Sequence, residues 1–269
     1  MSRKELTSGE VLYSVSDGVA VITLNRPEQG NALSPAIAAA LVDIWADIRD
    51  SDDIRVAIIT GAGDRHFCTG ADMQRAADSG GMRAGEGPMS QEVRLSPRQN
   101  HVWKPVIAAI NGVANAGGLH FVVDSDIVVA STTASFMDTH VTVGQVSGLE
   151  SVGLAKRLPL GSALRMTLSG RTHRLTAQRA YELGLVEELA EPAELMTLAM
   201  SIANEIKANS PRAVSLTQQA VWNSVEMAYT AAMEAGWGLV RLHRYHPDSV
   251  EGPKAFAERR APRWEGNSE

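Results

Sequence analysis

Three short apolar runs constrain the fold of this 269-residue chain more than any other feature. They occupy residues 56–60, 106–110 and 127–130, and a glycine or a polar residue follows each of them. Continuous apolar runs of this length are typical of strands that are buried on both faces. A helical-looking segment at residues 118–123 separates the last two runs. Strands that alternate with helices predict right-handed βαβ units around a mainly parallel sheet, and therefore an α/β fold.

The first fifty residues predict a hairpin and then a helix. Residues 11–24 alternate around a Ser-Asp-Gly turn at residues 16–18, which is typical of two antiparallel strands. Ser34 followed by Pro35 predicts an N-cap with proline at the first helical position. The expected buried face of this helix consists of Ile37, Leu41, Ile44, Trp45 and Ile48.

Two later regions lack the alternation of strands and helices seen before them. Residues 76–96 are glycine-rich without sustained periodicity, and a loop of that length in a compact domain predicts a mobile lid over a site. After Leu149 the pattern is mostly helical, so an α/β core over about residues 10–150 precedes a helical C-terminal part. The helices are expected at residues 163–168, 177–183, 193–209, from Ser210 past Trp222, and from 225 until Gly252-Pro253.

Composition narrows the classes of function. The 25 basic and 31 acidic residues give a net charge of −6, which disfavours a broad nucleic-acid footprint because such binding depends on basic clusters. The single Cys68 allows no intramolecular disulfide, so a reducing, cytoplasmic location is expected. The N-terminal residues lack an apolar signal region and no long apolar stretch occurs, so we expect neither secretion nor a membrane partner.

Small residues follow two of the predicted strands, at positions 67–73 and 110–119. Glycines at a strand-to-helix turn let a ligand approach the backbone, and free N–H groups at a helix start attract negative charge. Two such amides that converge on one carbonyl oxygen would form an oxyanion hole. From spacing alone, a pair such as Gly117-Gly118 before a helix is more often a sign of tight packing than of catalysis.

Further motifs extend over nearly the whole chain. They lie at residues 25–27, 31–33, 69–73 (Thr-Gly-Ala-Asp-Met), 104–112, 117–118, 169–171, 177–180, 183–186 and 251–256. In type, order and spacing these motifs closely resemble those of the enoyl-CoA hydratase/isomerase (crotonase) superfamily. The resemblance implies a spiral of repeated ββα units over residues 1–200. It also implies a helical oligomerisation region over residues 201–269 that forms a homotrimer or a dimer of trimers.

The resemblance also implies the ligand. The substrate would be an acyl-CoA or enoyl-CoA, with no cofactor beyond its CoA moiety and no metal, and the backbone N–H groups of Ala71 and Gly117 would hold the thioester oxygen. The CoA-binding positions carried over are Ala32, Thr69, Asp72, Met73, Phe256, Arg259 and Arg260, the last three in the same subunit or a neighbouring one. Glu28 departs from the pattern, because the family often has a lysine there near the CoA phosphates.

The catalytic positions depart further. Enoyl-CoA hydratases place two glutamates over the substrate double bond, and the matching positions here are His120 and His140, with the spacing of twenty retained. Histidine titrates near neutral pH, so one neutral imidazole could accept a proton while its protonated partner donates one. The alternatives are that the imidazoles only hydrogen-bond to neighbours, or that they form part of an incomplete metal site.

Glu150 is the third candidate, because isomerases of this superfamily carry an acidic base within one residue of this position. It could instead only favour the positive end of a helix that starts there. Asp72 and Asp126 are expected as caps or turn residues, and Cys68 as a packed side chain. Of the other histidines, His66 and His101 are expected near the mouth of the site, and His173, His243 and His246 at exposed or interfacial positions.

The sequence therefore predicts an enzyme that processes acyl-CoA thioesters, and hydration of a 2-enoyl-CoA is its first candidate reaction. Isomerisation, retro-aldol cleavage and C–C hydrolysis remain alternatives that use the same groups. A protein that binds acyl-CoA without catalysis is the alternative from another class.

Overall fold

A computed structural model describes residues 4–7, 9–78, 80–81 and 85–265. Its strands are β1 (Lys4–Thr7), β2 (Val11–Ser16), β3 (Val19–Leu24), β4 (Val56–Gly61), β5 (His66–Cys68), β6 (Val106–Ile110), β7 (Val113–Asn115), β8 (Ile127–Ser131), β9 (Ser135–Met137), β10 (Leu175–Thr176) and β11 (Glu188–Ala190). Its α-helices are α1 (Pro35–Asp50), α2 (Met73–Asp78), α3 (Met89–Glu92), α4 (Leu119–Asp124), α5 (Leu149–Arg157), α6 (Leu160–Ser169), α7 (Ala177–Glu182), α8 (Leu195–Lys207), α9 (Pro211–Ser224), α10 (Tyr229–His243) and α11 (Asp248–Ala257).

The strands form two sheets. The larger has the order β1-β2-β3-β4-β6-β8-β11, and the smaller has the order β10-β9-β7-β5. The β1-β2-β3 ladder is antiparallel, whereas β3, β4, β6, β8 and β11 pair in parallel. The mainly parallel α/β arrangement predicted from the apolar runs is confirmed.

A ββα unit repeats three times in the centre of the chain. In the pairs β4-β5, β6-β7 and β8-β9, the first strand lies in the larger sheet and the second in the smaller sheet. The helices α2, α4 and α5 are the next α-helices after the three pairs. This repetition is the spiral of ββα units that the resemblance implied.

Burial on both faces explains why the central strands read as continuous apolar runs. Along β4, Ala57 and Ile59 face the main core, whereas Val56 and Ile58 pack in a second cluster with α8. Every residue of β4 and β6 is buried. A strand covered by protein on both sides has no solvent face that could carry polar residues.

The N-terminal predictions are confirmed. Strands β2 and β3 pair in an antiparallel hairpin, and α1 begins at Pro35 with the Ser34 Oγ accepting the N–H of Ile37. The five apolar residues expected on the inner face of α1 are all buried.

Two predictions for the C-terminal helices are wrong. The helix expected from residue 225 onward is divided into α10 and α11 at residues 244–247, where Pro247 cannot continue a helix. A helix end was expected at Gly252-Pro253, but α11 continues through both residues to Ala257. Tertiary contacts hold the start and the middle of this helix, because the Asp248 carboxylate accepts the Ser210 hydroxyl and the Trp264 indole lies over Gly252. These contacts outweigh the backbone hydrogen bond that a proline inside a helix removes.

The region predicted as a loop also contains short helices. Residues 73–78 form α2 and residues 89–92 form α3, with most side chains from 85 to 94 exposed. Positions 79 and 82–84 of the predicted lid lie outside the described residues. Within the described ranges, none of the helices has both the length and the apolar character needed to span a bilayer.

Candidate active site

Three parallel strands deliver the predicted site residues to one edge of the smaller sheet. Strands β5, β7 and β9 lie side by side, and Asn115 at the end of β7 is paired in register with Met137 at the end of β9. The segments that follow these strands hold Ala71, Gly117 and His140. Because the carboxyl ends of parallel strands share an edge, the three segments form neighbouring walls of one site.

The backbone amides of Ala71 and Gly117 are close neighbours. A Cβ added to Gly70 would lie 2.9 Å from the Gly117 nitrogen, and a Cβ added to Gly117 would lie 3.8 Å from the Ala71 nitrogen. Within the described ranges, neither amide donates to another backbone group. Gly70 has a φ of +88°, a conformation that glycine adopts without strain. The geometry thus brings together the two donors that the sequence singled out.

Asn115 ties these segments together. Its side-chain amide donates to the Thr69 carbonyl at 3.2 Å, and its Oδ1 accepts the Thr139 hydroxyl at 3.0 Å. One side chain therefore links the segment that carries Ala71 to the segment that carries His140.

His120 and Glu150 meet where two helices cross. His120 lies in the first turn of α4, Glu150 lies in the first turn of α5, and their Nε2 and Oε1 atoms are 3.1 Å apart. Both residues are buried, with relative exposures of 5% and 6%. A charged group so far from water needs a partner, and His120 provides one for the Glu150 carboxylate.

Gly153 explains how α5 comes so close to α4. It lies one turn after Glu150, and a Cβ at this position would be 2.6 Å from Cγ2 of Val123, which lies one turn after His120. A glycine at the crossing removes the side chain that would otherwise hold the helices apart.

His140 is oriented by a buried carboxylate. Its Nδ1 lies 2.7 Å from Oδ1 of Asp138, which also accepts the His140 backbone N–H, while the Ser147 hydroxyl donates to Oδ2. Asp138 is fully buried, whereas the His140 side chain is 14% exposed. The hydrogen bond to Asp138 and the nearby Glu150 charge outweigh burial and raise the pKa of His140.

Glu150 lies between the two histidines, with Oε1 3.7 Å from the His140 Nε2. Burial alone would raise the pKa of Glu150, but its interactions with His120, followed by a backbone hydrogen bond and the charge of His140, lower it. Likewise, bonds from His140 and Ser147 overcome burial and lower the pKa of Asp138. The site therefore favours ionised carboxylates beside a protonated His140.

The predicted CoA-binding residues fall into two groups. Residues 30–33 and 69–72 run side by side, because the Leu33 N–H donates to the Gly70 carbonyl and the Thr69 N–H donates to the Gly30 carbonyl. The structure thus brings Ala32 and Thr69 together, with Met73 exposed at the start of α2. Asp72 accepts hydrogen bonds from Arg26 and from the Arg75 N–H, which fits the structural role expected of it.

The C-terminal CoA-binding candidates lie elsewhere, on and just after α11. Phe256 is 87% exposed, and Arg259 has a positive φ of 52°. The Arg260 guanidinium already binds Glu251 and Glu258, and this pairing competes with any phosphate contact. No hydrogen bond among the described residues joins these three side chains to residues 30–33 or 69–72, so their role stays a prediction.

The remaining residues singled out from the sequence lie outside the hydrogen-bonded group of Asp138, His140, Glu150 and His120. Cys68 is buried, and burial raises the pKa of its thiol to about 12, which fits a packed side chain. The Asp126 carboxylate accepts the Val106 N–H and side-chain donors from Gln218 and Trp222, which is a structural role. Across the described part of the chain, no cluster of three or more potential metal ligands is arranged to hold an ion. In the same residues, no hydrogen bond or ion pair joins the side chains of Asp138, His140, Glu150 and His120 to those of five other histidines: His66, His101, His173, His243 and His246.

Two groups of this site, Asp138 and Gln99, were not selected from the sequence. Asp138 stands two residues before His140 at the end of β9, and this Asp-x-His spacing could have suggested it. Gln99 lies 21 residues before His120 and contacts its Nδ1 at 3.1 Å. Only the fold brings these two together, so no sequence pattern could have indicated the pair.

Solved structures with the same fold are enzymes that act on CoA thioesters. An enoyl-CoA hydratase/isomerase from Mycobacterium paratuberculosis matches with a TM-score of 0.87 and 35% identity, over 95% of this chain and 98% of that one. An enoyl-CoA hydratase from Mycobacterium tuberculosis H37Rv matches with a TM-score of 0.86 and 33% identity, over 97% of this chain and 100% of that one. Fold and site together define the class as an acyl-CoA-processing enzyme.

Sequence comparison gives the family. Residues 14–267 match the family model for enoyl-CoA hydratase/isomerase. The chain is 39% identical to (E)-benzylidenesuccinyl-CoA hydratase of Thauera aromatica, over 95% of this chain and 99% of that protein. It is 35% identical to carnitinyl-CoA dehydratase of Proteus mirabilis, over 91% and 94% of the two chains. The chain belongs to the enoyl-CoA hydratase/isomerase (crotonase) superfamily, a family of lyases and isomerases.

Proposed function

We propose that this protein adds water reversibly to a 2-enoyl-CoA thioester, with Glu150 and His140 as the proton-transfer pair. The observation that carries the proposal is the buried network of Asp138, His140, Glu150 and His120 beside the adjacent amides of Ala71 and Gly117. Two relatives bear the names of a CoA-thioester hydratase and a CoA-thioester dehydratase, and this supports water addition or removal.

The two amides stabilise the charge that develops on the substrate. When water adds to the β carbon of an enoyl thioester, electron density moves to the thioester oxygen and forms an enolate. The N–H groups of Ala71 and Gly117 would donate to that oxygen, and removing one such donor typically lowers kcat by about 100- to 1,000-fold.

Protons move in opposite directions at the two carbons. The Glu150 carboxylate accepts a proton from water while the water oxygen bonds to the β carbon. The protonated His140 then gives its Nε2 proton to the α carbon, and the enolate collapses to the saturated thioester. Transfer of the new proton from Glu150 to His140, across the 3.7 Å between Oε1 and Nε2, restores both groups. Dehydration follows the same steps in reverse.

His120 has a different role in this proposal from His140. Its Nε2 lies against Glu150 and its Nδ1 lies against Gln99, so neither nitrogen offers a free lone pair to a water molecule. The hydrogen bonds thus favour a neutral His120 that holds the Glu150 carboxylate in place. The sequence left open which imidazole accepts a proton; in this proposal neither does so from water, because Glu150 is the base.

The experiment is a turnover panel with the purified, folded protein. The panel contains a short 2-enoyl-CoA, (E)-benzylidenesuccinyl-CoA, carnitinyl-CoA, a dienoyl-CoA and a β-keto-acyl-CoA. We expect gain or loss of one water by mass spectrometry on at least one member. Double-bond migration without water exchange would indicate an isomerase, and chain cleavage a retro-aldolase or C–C hydrolase. Saturable binding by calorimetry without turnover of any member would indicate a non-catalytic acyl-CoA-binding protein and overturn the proposal.

We further propose a homotrimer or a dimer of trimers, assembled through the C-terminal helices. On α10 the apolar side chains of Met233, Trp237 and Val240 are each 59% exposed. Exposed apolar faces of this kind mark interaction surfaces. Light scattering that gives only the monomer mass of 28.8 kDa at micromolar concentration would contradict this assembly. A cytoplasmic location and activity without any added cofactor belong to the same proposal, and cell fractionation and turnover after dialysis against chelator test them.

A further inference from the structure

We propose that Gln99 is a positioning residue that fixes His120 as the neutral Nε2–H tautomer. The inference deepens the proposed function and rests on it only for its catalytic consequence, because the assignment of the tautomer follows from hydrogen bonds alone.

The orientation of the Gln99 amide is determined by the backbone around it. Its Oε1 accepts the N–H groups of Leu95 and Ser96, at 2.9 and 3.1 Å. An amide nitrogen could not accept those two bonds, so the oxygen must occupy this position. The amide nitrogen of Gln99 therefore points to the other side, where it lies 3.1 Å from His120 Nδ1.

This orientation decides where the His120 proton lies. The amide nitrogen of glutamine is only a donor, so Nδ1 must accept and must carry no proton. The single proton of the neutral ring is then on Nε2, where it is donated to Glu150 Oε1 at 3.1 Å. Protonation of Nδ1 would place an N–H against the Gln99 NH₂ group at a site with 5% exposure, where water cannot relieve the conflict.

The segment that carries Gln99 is firmly held. Gln99 lies in a 3₁₀ turn at Arg98–Asn100, and the Trp45 indole donates to the Leu95 carbonyl at 2.7 Å. The Asn100 side chain donates to the Ser96 carbonyl at 2.8 Å. The backbone around Gln99 is thus fixed, and the side chain cannot rotate away from His120 without losing both hydrogen bonds that its Oε1 accepts.

Charged and titratable groups lie near His120 on both helices of the crossing. Glu150 faces it from α5, Asp124 lies one turn later on α4, and His140 lies beyond Glu150. Without an amide donor at Nδ1, two nearby carboxylates would favour a charged imidazole. Gln99 opposes that charge, so Glu150 stays the proton acceptor of the site.

The two histidines are thus set to opposite states by their partners. Asp138 is an acceptor and favours a second proton on His140, whereas Gln99 is a donor and excludes a second proton from His120. This difference would let two identical side chains perform different tasks within one network.

The test is the ¹⁵N spectrum of protein labelled at histidine, recorded by magic-angle-spinning solid-state NMR near pH 7. Loss of a signal in His120→Gln assigns the residue. In the wild type we expect a bare Nδ1 and a protonated Nε2 on His120, with the two nitrogens distinguished by their correlations to the ring carbons. In Gln99→Glu, which has the same shape but presents an acceptor oxygen, we expect both His120 nitrogens to be protonated. Gln178→Glu, an exposed change on α7, should leave the His120 signals unchanged.

Kinetics supply the catalytic consequence. A charged His120 would hold the Glu150 carboxylate more tightly, so in Gln99→Glu we expect kcat/KM to fall about tenfold or more, as for a weakened general base. The acid limb of its pH profile should move to lower pH, whereas the Gln178→Glu profile should not move.

A proton on Nδ1 of His120 in the folded wild type would overturn the inference, whether or not the protein turns over its substrate. The expected spectra together with no turnover of any thioester would support the tautomer assignment and overturn the proposed function. If Gln99→Glu fails to fold, the wild-type spectrum alone still decides the tautomer.

Discussion

His120 and Glu150 lie 3.1 Å apart at a crossing of two helices from which water is almost excluded. Their contact depends on how closely α5 approaches α4, and Gly153 sets that distance by lying directly against Val123. The geometry of the proposed base is therefore controlled by a residue without a side chain.

Gly153→Ala should separate the helices and weaken catalysis. Its methyl group would lie 2.6 Å from a Val123 methyl group, and overpacking of this kind costs about 1–3 kcal/mol of stability. We expect kcat/KM to fall about tenfold or more, because proton transfer is sensitive to small displacements. The control is Gly161→Ala in α6, where an added Cβ meets nothing within 4 Å and both stability and activity should be kept. Equal kcat/KM for the two variants would show that the helix approach does not position Glu150.

Gly70→Ala should disable the paired amides. Its methyl group would lie 2.9 Å from the Gly117 nitrogen, and loss of one oxyanion donor lowers kcat by about 100- to 1,000-fold. Gly184→Ala is the matched control, because Gly184 has a φ of +78° against +88° for Gly70 but open space around it. Both variants should lose stability in urea unfolding through the strain of a positive φ, Gly70→Ala somewhat more because its methyl group also meets Gly117 and Ala116, and only Gly70→Ala should lose turnover. A Gly70→Ala enzyme with the kcat of Gly184→Ala would rule out this oxyanion hole.

The pH dependence should follow His140 and Glu150. The proposed reaction needs a protonated His140, whose pKa is raised above 6.5, and an ionised Glu150, whose pKa is lowered below 4.5. In the wild type, kcat/KM should therefore fall as pH rises through the raised His140 value. Asp138→Asn removes the main cause of that rise, so its alkaline limb should begin at a lower pH. An alkaline limb that is the same in both proteins would exclude His140 as the donor.

Asp126→Asn should affect folding rather than catalysis. The carboxylate accepts the Trp222 indole at 2.6 Å and the Gln218 amide, and it anchors α9 to the larger sheet. An asparagine places its NH₂ group against at least one of these donors, and an unsatisfied buried polar group costs about 1–3 kcal/mol. Urea unfolding should show this loss, with kcat/KM of the folded enzyme unchanged. Asp64→Asn, at an exposed position, should change neither quantity.

Most of the fold could be predicted from the sequence because the patterns that specify its strands and helices are local. The run at residues 56–60 is buried on both faces, and Ser34-Pro35 starts α1 with its own side-chain cap, so burial and capping were visible in the residues themselves. The end of α11 could not be predicted locally, since Pro253 breaks a helix by local rules and tertiary contacts such as those of Asp248 and Trp264 sustain it.

The sequence could indicate which residues form the candidate site, but not which hydrogen bonds join them. The family pattern indicated His120, His140 and Glu150 one at a time. Their proposed division into a charged donor, a carboxylate base and a neutral supporting residue depends on Asp138 and Gln99, whose partners are fixed by tertiary structure. The family pattern located an acidic base only to within one residue of Glu150, and it did not indicate that this carboxylate lies between the two imidazoles, as it does at the start of α5.

The most direct test of the account is kcat/KM of Glu150→Gln on the thioester that the wild type turns over best. The variant keeps the size of the side chain but cannot accept a proton, so we expect a loss of about 100-fold or more, as is typical of a missing general base. Exposed Glu187→Gln should match the wild type, and calorimetry should show that Glu150→Gln still binds the substrate. A Glu150→Gln enzyme within about threefold of the wild type would contradict the central role of this carboxylate, because general-base catalysis cannot be that small.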